Sequence, residues 1–103
     1  MDCGKLKGLL GLSVRAGQAV FGEDGCMKAL RNGQGGLLVL DESLSERVRE
    51  KYLDLCRREG IPVARLPEGL LFEATGRPGK AAVLRKGNLA EQAAACAESG
   101  TAD

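Results

Sequence analysis

The chain has 103 residues, 44% of them apolar, with 15 basic side chains against 14 acidic ones, and no histidine or tryptophan. That length allows one domain with a modest core, spanning 1–103, and that apolar share excludes general disorder. A formal net charge of +1 excludes a protein that coats nucleic acid by bulk charge, while leaving room for a small basic face.

The N-terminal "GKLKGLLGLSVRAG" spaces Leu6, Leu9, Leu10 and Val14 for a helix that Gly17 ends. "QAVF" is a short strand. "GEDGCMKALRNG", Gly22 to Gly33, predicts a second helix with Cys26, Ala29 and Leu30 turned inward. Asp24, Lys28 and Arg31 share another face at i, i+4 and i+7, where an Asp24–Lys28 pair contributes about 0.3–0.5 kcal/mol. "GGLLVLD" is apolar on both faces and so predicts a central strand.

"SLSERVREKYLDLCRREG" predicts the longest helix, with Ser43 and Glu46 as a capping box. Leu44, Val48, Tyr52, Leu55 and Cys56 form its buried stripe, and Gly60 and Pro62 stop it. "IPVARL" is a strand, and "PEGLLFEATG" a short helix opened by Pro67 and closed by Gly76. "KAAVLRK" is the last strand. "NLAEQAAACAESG" is a closing helix capped by Asn88, after which the chain is expected to fray. Helices alternating with strands predict an α/β fold: a three-layer α-β-α sandwich around a small mixed sheet of about four strands. With only Tyr52, Phe21 and Phe72 as aromatics, its core must be aliphatic.

The chemistry that is missing narrows the function. No histidine means no histidine-based triad and no ordinary general base near neutral pH. Cys3, Cys26, Cys56 and Cys96 are scattered without a CxxC, so they read as small hydrophobes in a reducing compartment, not as a zinc site or a disulfide framework. "ATGRPGKAA" is not a phosphate-binding loop. Its glycines are too close together, Ala81 replaces the magnesium-holding hydroxyl, and the loop leads from helix to strand. The acid pairs Glu23–Asp24 and Asp41–Glu42 suit the dipoles of helix starts. No enzyme activity, cofactor or metal is expected. No apolar run approaches the ~20 residues of a membrane span, and "MDCGKLKGLL" lacks a signal-cleavage pattern, so a cytoplasmic location is expected.

The order of helix, strand, "GEDGCMKALRNG", "LLVLDES", long charged helix, "IPV" and "LLFEATGRPGKAAV" resembles the ribosomal protein family that binds kink-turn RNA, the L-seven-Ae / L-thirty-e superfamily. The likeness runs from about Leu6 to Leu89 and is nearest to its small bacterial YlxQ-like members. It implies an α-β-α sandwich whose second helix enters the major groove of a kinked RNA beside tandem sheared G·A pairs. Elementary physics supports such a role. A glycine allows close backbone approach, open helix N–H groups favour phosphate, and a lysine one turn in adds a cation.

By position, Gly22 matches the family glycine and Lys28 its lysine, with Glu23 and Arg31 on the same helix. The pair that reads the sheared guanines falls on Asp24, which keeps an acceptor, and on Gly25, which has no side chain. Two lysines before the glycine correspond to Val20 and Phe21. The resemblance also implies that the loop Arg77, Pro78, Gly79 and Lys80 packs over an extruded nucleotide, and that Asp41 and Glu42 lie near the same edge. Their acids would offer acceptors to bases and repel phosphate. The expected function is therefore non-catalytic binding of kink-turn RNA by a monomer, with ribosomal RNA as a candidate partner. The alternative is a protein-interaction module on the same fold, its RNA face eroded.

Overall fold

The structure, a computed structural model, describes residues 2–99. The elements run α1 (Cys3–Arg15), β1 (Ala19–Phe21), α2 (Glu23–Arg31), β2 (Gly35–Asp41), α3 (Glu46–Glu59), β3 (Val63–Leu66), α4 (Leu70–Thr75), β4 (Ala81–Arg85) and α5 (Asn88–Ser99). The fraying expected of the last residues lies outside those described.

The strands lie side by side as β1-β4-β2-β3, parallel only between β2 and β3. Alternation along β2 divides the core in two. Leu37 and Val39 face α1, α4 and α5 together with Leu6, Leu10 and Leu71. Leu38 and Leu40 face α2 and α3 with Cys26, Leu30, Tyr52 and Leu55. Both clusters are buried, so the sheet is covered on both faces and β2 is central, as its unbroken apolar run predicted. Leu44 and Val48, expected to be fully buried, are only partly so.

Three helix starts differ from the pattern expected of the sequence: α5 has Asn88 as its first residue and Glu91 N–H donates to Gly87 O at 3.1 Å, so Asn88 does not cap it. Helix α3 is capped by Ser45, whose hydroxyl accepts from Val48 N, and not by Ser43. Ser43 is occupied elsewhere: its backbone N–H and its hydroxyl both donate to Asp41 Oδ1, at 2.8 and 2.6 Å. A side chain spent on a turn cannot also cap a helix. Helix α4 begins at Leu70, not at Pro67, because Gly69 takes the left-handed conformation at φ 86° and breaks the helical path. The Cys3 thiol, expected inside with the other cysteines, is exposed, while Cys26, Cys56 and Cys96 are buried.

Asp41, the last residue of β2, is the knot of this end of the sheet. It is 5% exposed, and its second oxygen accepts from Gly69 N at 2.9 Å, so one carboxylate spans the turn after β2 and the turn before α4. Its backbone N–H donates to Lys80 O at 2.8 Å and adds the loop before β4. Burial pushes the Asp41 carboxyl up, but the donors on Ser43 and Gly69 and the charge of Lys80 outweigh it and hold the pKa below the ordinary value. At the other end of β2, Gly36 permits α5 to approach. A Cβ there would lie 2.9 Å from both Ala90 Cβ and Lys86 Cα.

Asp41→Asn is expected to destabilise the fold by about 2 kcal/mol at pH 7, because an amide puts a donor against donors. A depressed folded pKa supplies stability above the unfolded carboxylate value that is lost as pH falls through the folded one, so the gap between wild type and variant should close in acid. Urea melts from pH 7 down to pH 3 measure both. Gly36→Ala should lose roughly 1–3 kcal/mol in the same assay through overpacking against backbone. In a thiol titration of the native chain, Cys3 should react quickly. Cys26, its thiol raised by burial, and Cys56, raised by burial to about 11, should react only on unfolding.

Candidate nucleic-acid interface

The C-terminal ends of β1, β2 and β3 and the N-terminal end of β4 meet at the edge that Asp41 ties together. Three segments reach it: the turn from β1 into α2, the turn after β2, and the Arg77–Lys80 loop. Gly22 makes the first turn at φ 86° and ψ 142°, which lets strand pass into helix without an intervening loop. No side chain caps α2; the first closing bond runs from Cys26 N–H to Gly22 O at 2.9 Å. The amides of Glu23, Asp24 and Gly25 are thus open at the positive end of the helix dipole.

Gly22 and Glu23 share a groove of about 240 Å³ with Gly79 and Lys80, floored by Tyr52 and Val48. Gly79 and Lys80 also wall a second groove of about 330 Å³, with Asp41, Ser43, Pro78 and Phe72. The start of α2 and the Arg77–Lys80 loop are therefore neighbours, bridged by Lys80. Arg77 does not project into either groove. Its guanidinium lies 4.5 Å from the centre of the Phe21 ring, a cation–π contact that moors the loop to β1. Phe21, which the sequence marks only as a lysine lost, thus contributes to the edge by holding the loop in place.

The remaining candidates separate. Asp24 and Arg31 line a third cleft of about 400 Å³ between α2 and α3, with Glu23, Met27 and Lys51. Arg31 stands at the far end of α2, about 12 Å along the axis from Glu23 by the helical rise, and not beside the loop. Lys28 is exposed, and no ion pair joins it to Asp24 among the described residues. Glu23 is bonded instead, to Lys51 Nζ at 3.1 Å. Glu42 is exposed at the edge, its N–H donating to Leu66 O. Asp41 corrects the expectation that it offers its carboxylate to bases: both oxygens are taken by the fold, and only its backbone shapes the edge.

Gly25 and Val20 fit one another. A Cβ on Gly25 would stand 3.1 Å from Val20 Cγ1, a close approach that suits glycine at this position. Lys51 and Phe72 are contributors that the sequence does not single out. Lys51 lies 28 residues from Glu23, and no local spacing connects the two. Phe72 had a signal in its rarity. Phe21, Tyr52 and Phe72 are all the aromatics the chain has, and each borders this edge, Tyr52 from within the buried core, which holds no other ring among the described residues.

No group of three or more cysteine, aspartate or glutamate side chains among the described residues could hold a metal ion. No helix among them is long and apolar enough to cross a membrane. The arrangement offers instead an open helix start, a cation at Lys80 and a ring. Such a set can hold phosphate and a base.

The chain is 32% identical over 76 residues to RNA-binding protein YlxQ of Bacillus subtilis (strain 168), covering 73% of this chain and 76% of that one. A solved structure of a protein of unknown function from Bacillus halodurans superposes with a TM-score of 0.85 at 30% identity, over 91% of this chain and 97% of that one. The Giardia lamblia 15.5kD RNA binding protein shares the fold, with a TM-score of 0.72 at 14% identity over 96% of this chain and 90% of the other. The family model for the ribosomal protein L7Ae/L30e/S12e/Gadd45 family matches residues 4–94, which takes in every strand and the whole candidate edge, and the chain belongs to that family.

Proposed function

We propose that the chain is a non-catalytic, monomeric RNA-binding protein of the cytoplasm that recognises kink-turn RNA, with ribosomal RNA as its natural source. The observation that carries this reading is the shared groove in which the uncapped start of α2 faces Lys80 across Gly79. Backbone amides and one cation there converge on the space a phosphate would fill. Lys28, one turn in and free of ion pairs among the described residues, adds a second cation on the exposed side of α2. Glu23 and Asp24 oppose phosphate, and Glu23 is paired at the surface with Lys51. In this reading the Arg77–Lys80 loop, moored by Arg77 on Phe21, closes over an extruded nucleotide.

A second reading rests on the Gly25–Val20 fit. With no side chain at position 25 and none of the lysines before Gly22, the edge has lost base-reading groups, and a protein partner on the same fold accounts for that loss.

Titration of a kink-turn RNA labelled at both ends separates the two. The ends should approach as protein is added, and should not in a control RNA whose G·A pairs are changed to Watson–Crick pairs. Lys28→Ala and Lys80→Ala should each weaken binding and reduce the slope of log affinity against log salt by about 1. Equal, weak, salt-sensitive binding to both RNAs would overturn the kink-turn reading and favour the protein partner.

A further inference from the structure

We infer that Cys26 and Tyr52 are positioning residues for RNA binding: a buried contact between their side chains sets the start of α2 relative to Lys80. The inference rests on the RNA-binding reading above, which needs the open amides and that cation in one groove.

The start of α2 is weakly held from outside. Gly22 has no side chain to anchor, and a Cβ there would meet nothing within 4 Å. No side chain among the described residues caps the helix, and its first bond, from Cys26 N–H to Gly22 O, lies within the turn itself. The Glu23–Lys51 pair lies at the surface with both side chains at least half exposed, where such a pair contributes little. Anchorage must come from beneath.

Beneath the helix lies one sulfur. Cys26 is fully buried, and its thiol donates to Val20 O at 3.3 Å, on the strand that leads into α2. The Tyr52 hydroxyl and the Val83 N–H hydrogen-bond the same sulfur. Val20 and Val83 are paired residues of β1 and β4, so the thiol sits at one rung of the sheet. Four elements therefore meet at Cys26: α2 itself, β1, β4 and, through Tyr52, α3. Of these, β4 is the strand that begins directly after Lys80.

Tyr52 completes the contact. It is buried, and it floors the groove that Gly22, Glu23, Gly79 and Lys80 share. The charges of Glu23 and Asp24 reach its hydroxyl, which lies beneath the first turn of α2. Burial pushes the phenol pKa up, so the hydroxyl stays a donor throughout the neutral range. An apolar residue at position 26 could fill the core, but only a group that donates and accepts can join a carbonyl, an amide and a hydroxyl. The reading of Cys26 as a small hydrophobe thus accounts for its burial and not for its contacts. A shift of the helix start would part its amides from Lys80, and contacts that share one phosphate would weaken together.

The test measures affinity for kink-turn RNA with full-length variants, alongside urea melts that show each to be folded. Tyr52→Phe keeps the ring in the core and removes only the hydroxyl; it should weaken binding about fivefold, the worth of one hydrogen bond. Cys26→Ala should weaken binding further, and Cys26→Ser, which keeps a donor and an acceptor, should stay nearer the wild type. Positioning has a signature that loss of stability lacks. Lys80→Ala should cost less affinity in the Tyr52→Phe chain than in the wild type, because the two act on one contact. Wild-type affinity in folded Tyr52→Phe, losses that multiply with Lys80→Ala, or equal losses in Cys26→Ser and Cys26→Ala would each overturn the inference while leaving the RNA-binding reading intact. Absence of any kink-turn binding by the wild-type chain, in contrast, removes that reading and this one together.

Discussion

Four consecutive apolar residues, Leu37 to Leu40, place side chains alternately on both faces of β2, and none of them can be left in water. A strand buried on both faces demands a helical layer on each. That demand assigns α1, α4 and α5 to one side and α2 and α3 to the other. It also makes β2 the rod from which the connections at both ends hang. At one end Gly36 lets α5 come close; at the other Asp41 stops the strand and collects three loops.

Asp41 shows how a polar group inside such a fold becomes an organiser. Taking a carboxylate out of water is unfavourable unless donors meet it, and here Ser43 and Gly69 do so with Lys80 nearby. The consequence is geometric. The turn before α3, the turn before α4 and the loop before β4 are set relative to one another by one side chain and its backbone. Phe21 performs a similar service from the other side by holding Arg77. The candidate interface is therefore made of loops, yet of loops pinned at both margins, which suits a site that must present amides and a cation in fixed register.

Charge at this edge is balanced, not strongly positive. Lys51 meets Glu23 at the surface, and the Asp41 carboxylate is buried with both oxygens engaged by donors. The net charge of +1 is thus compatible with local recognition, though not with bulk attraction. The distribution of ring systems points the same way. Tyr52 is buried in the core beneath one groove, Phe21 lies under Arg77, and Phe72 is open to solvent.

The sequence by itself determined whatever depends on neighbours along the chain. Period and run length marked every helix and strand and the central place of "GGLLVLD", and the motif order from Leu6 to Leu89 marked the family. It placed Gly22 at a helix start and Arg77–Lys80 in a loop, because glycine and proline act locally. Only the tertiary structure decided what depends on partners far apart in sequence. Lys51 reaches Glu23 across 28 residues, and Arg77 lies over Phe21 across 56, a spacing that follows from their numbers. Local spacing allowed Ser43 either to cap a helix or to bond Asp41; in the fold it bonds Asp41 Oδ1, while Gly69 N–H takes the other oxygen. Arg31 and Lys80 are both cations on paper. The packing of α2 against α3 sends one into a separate cleft, and the β2–β4 pairing brings the other to the open start of α2. Side-chain type is a property of the sequence, but the company it keeps is a property of the fold.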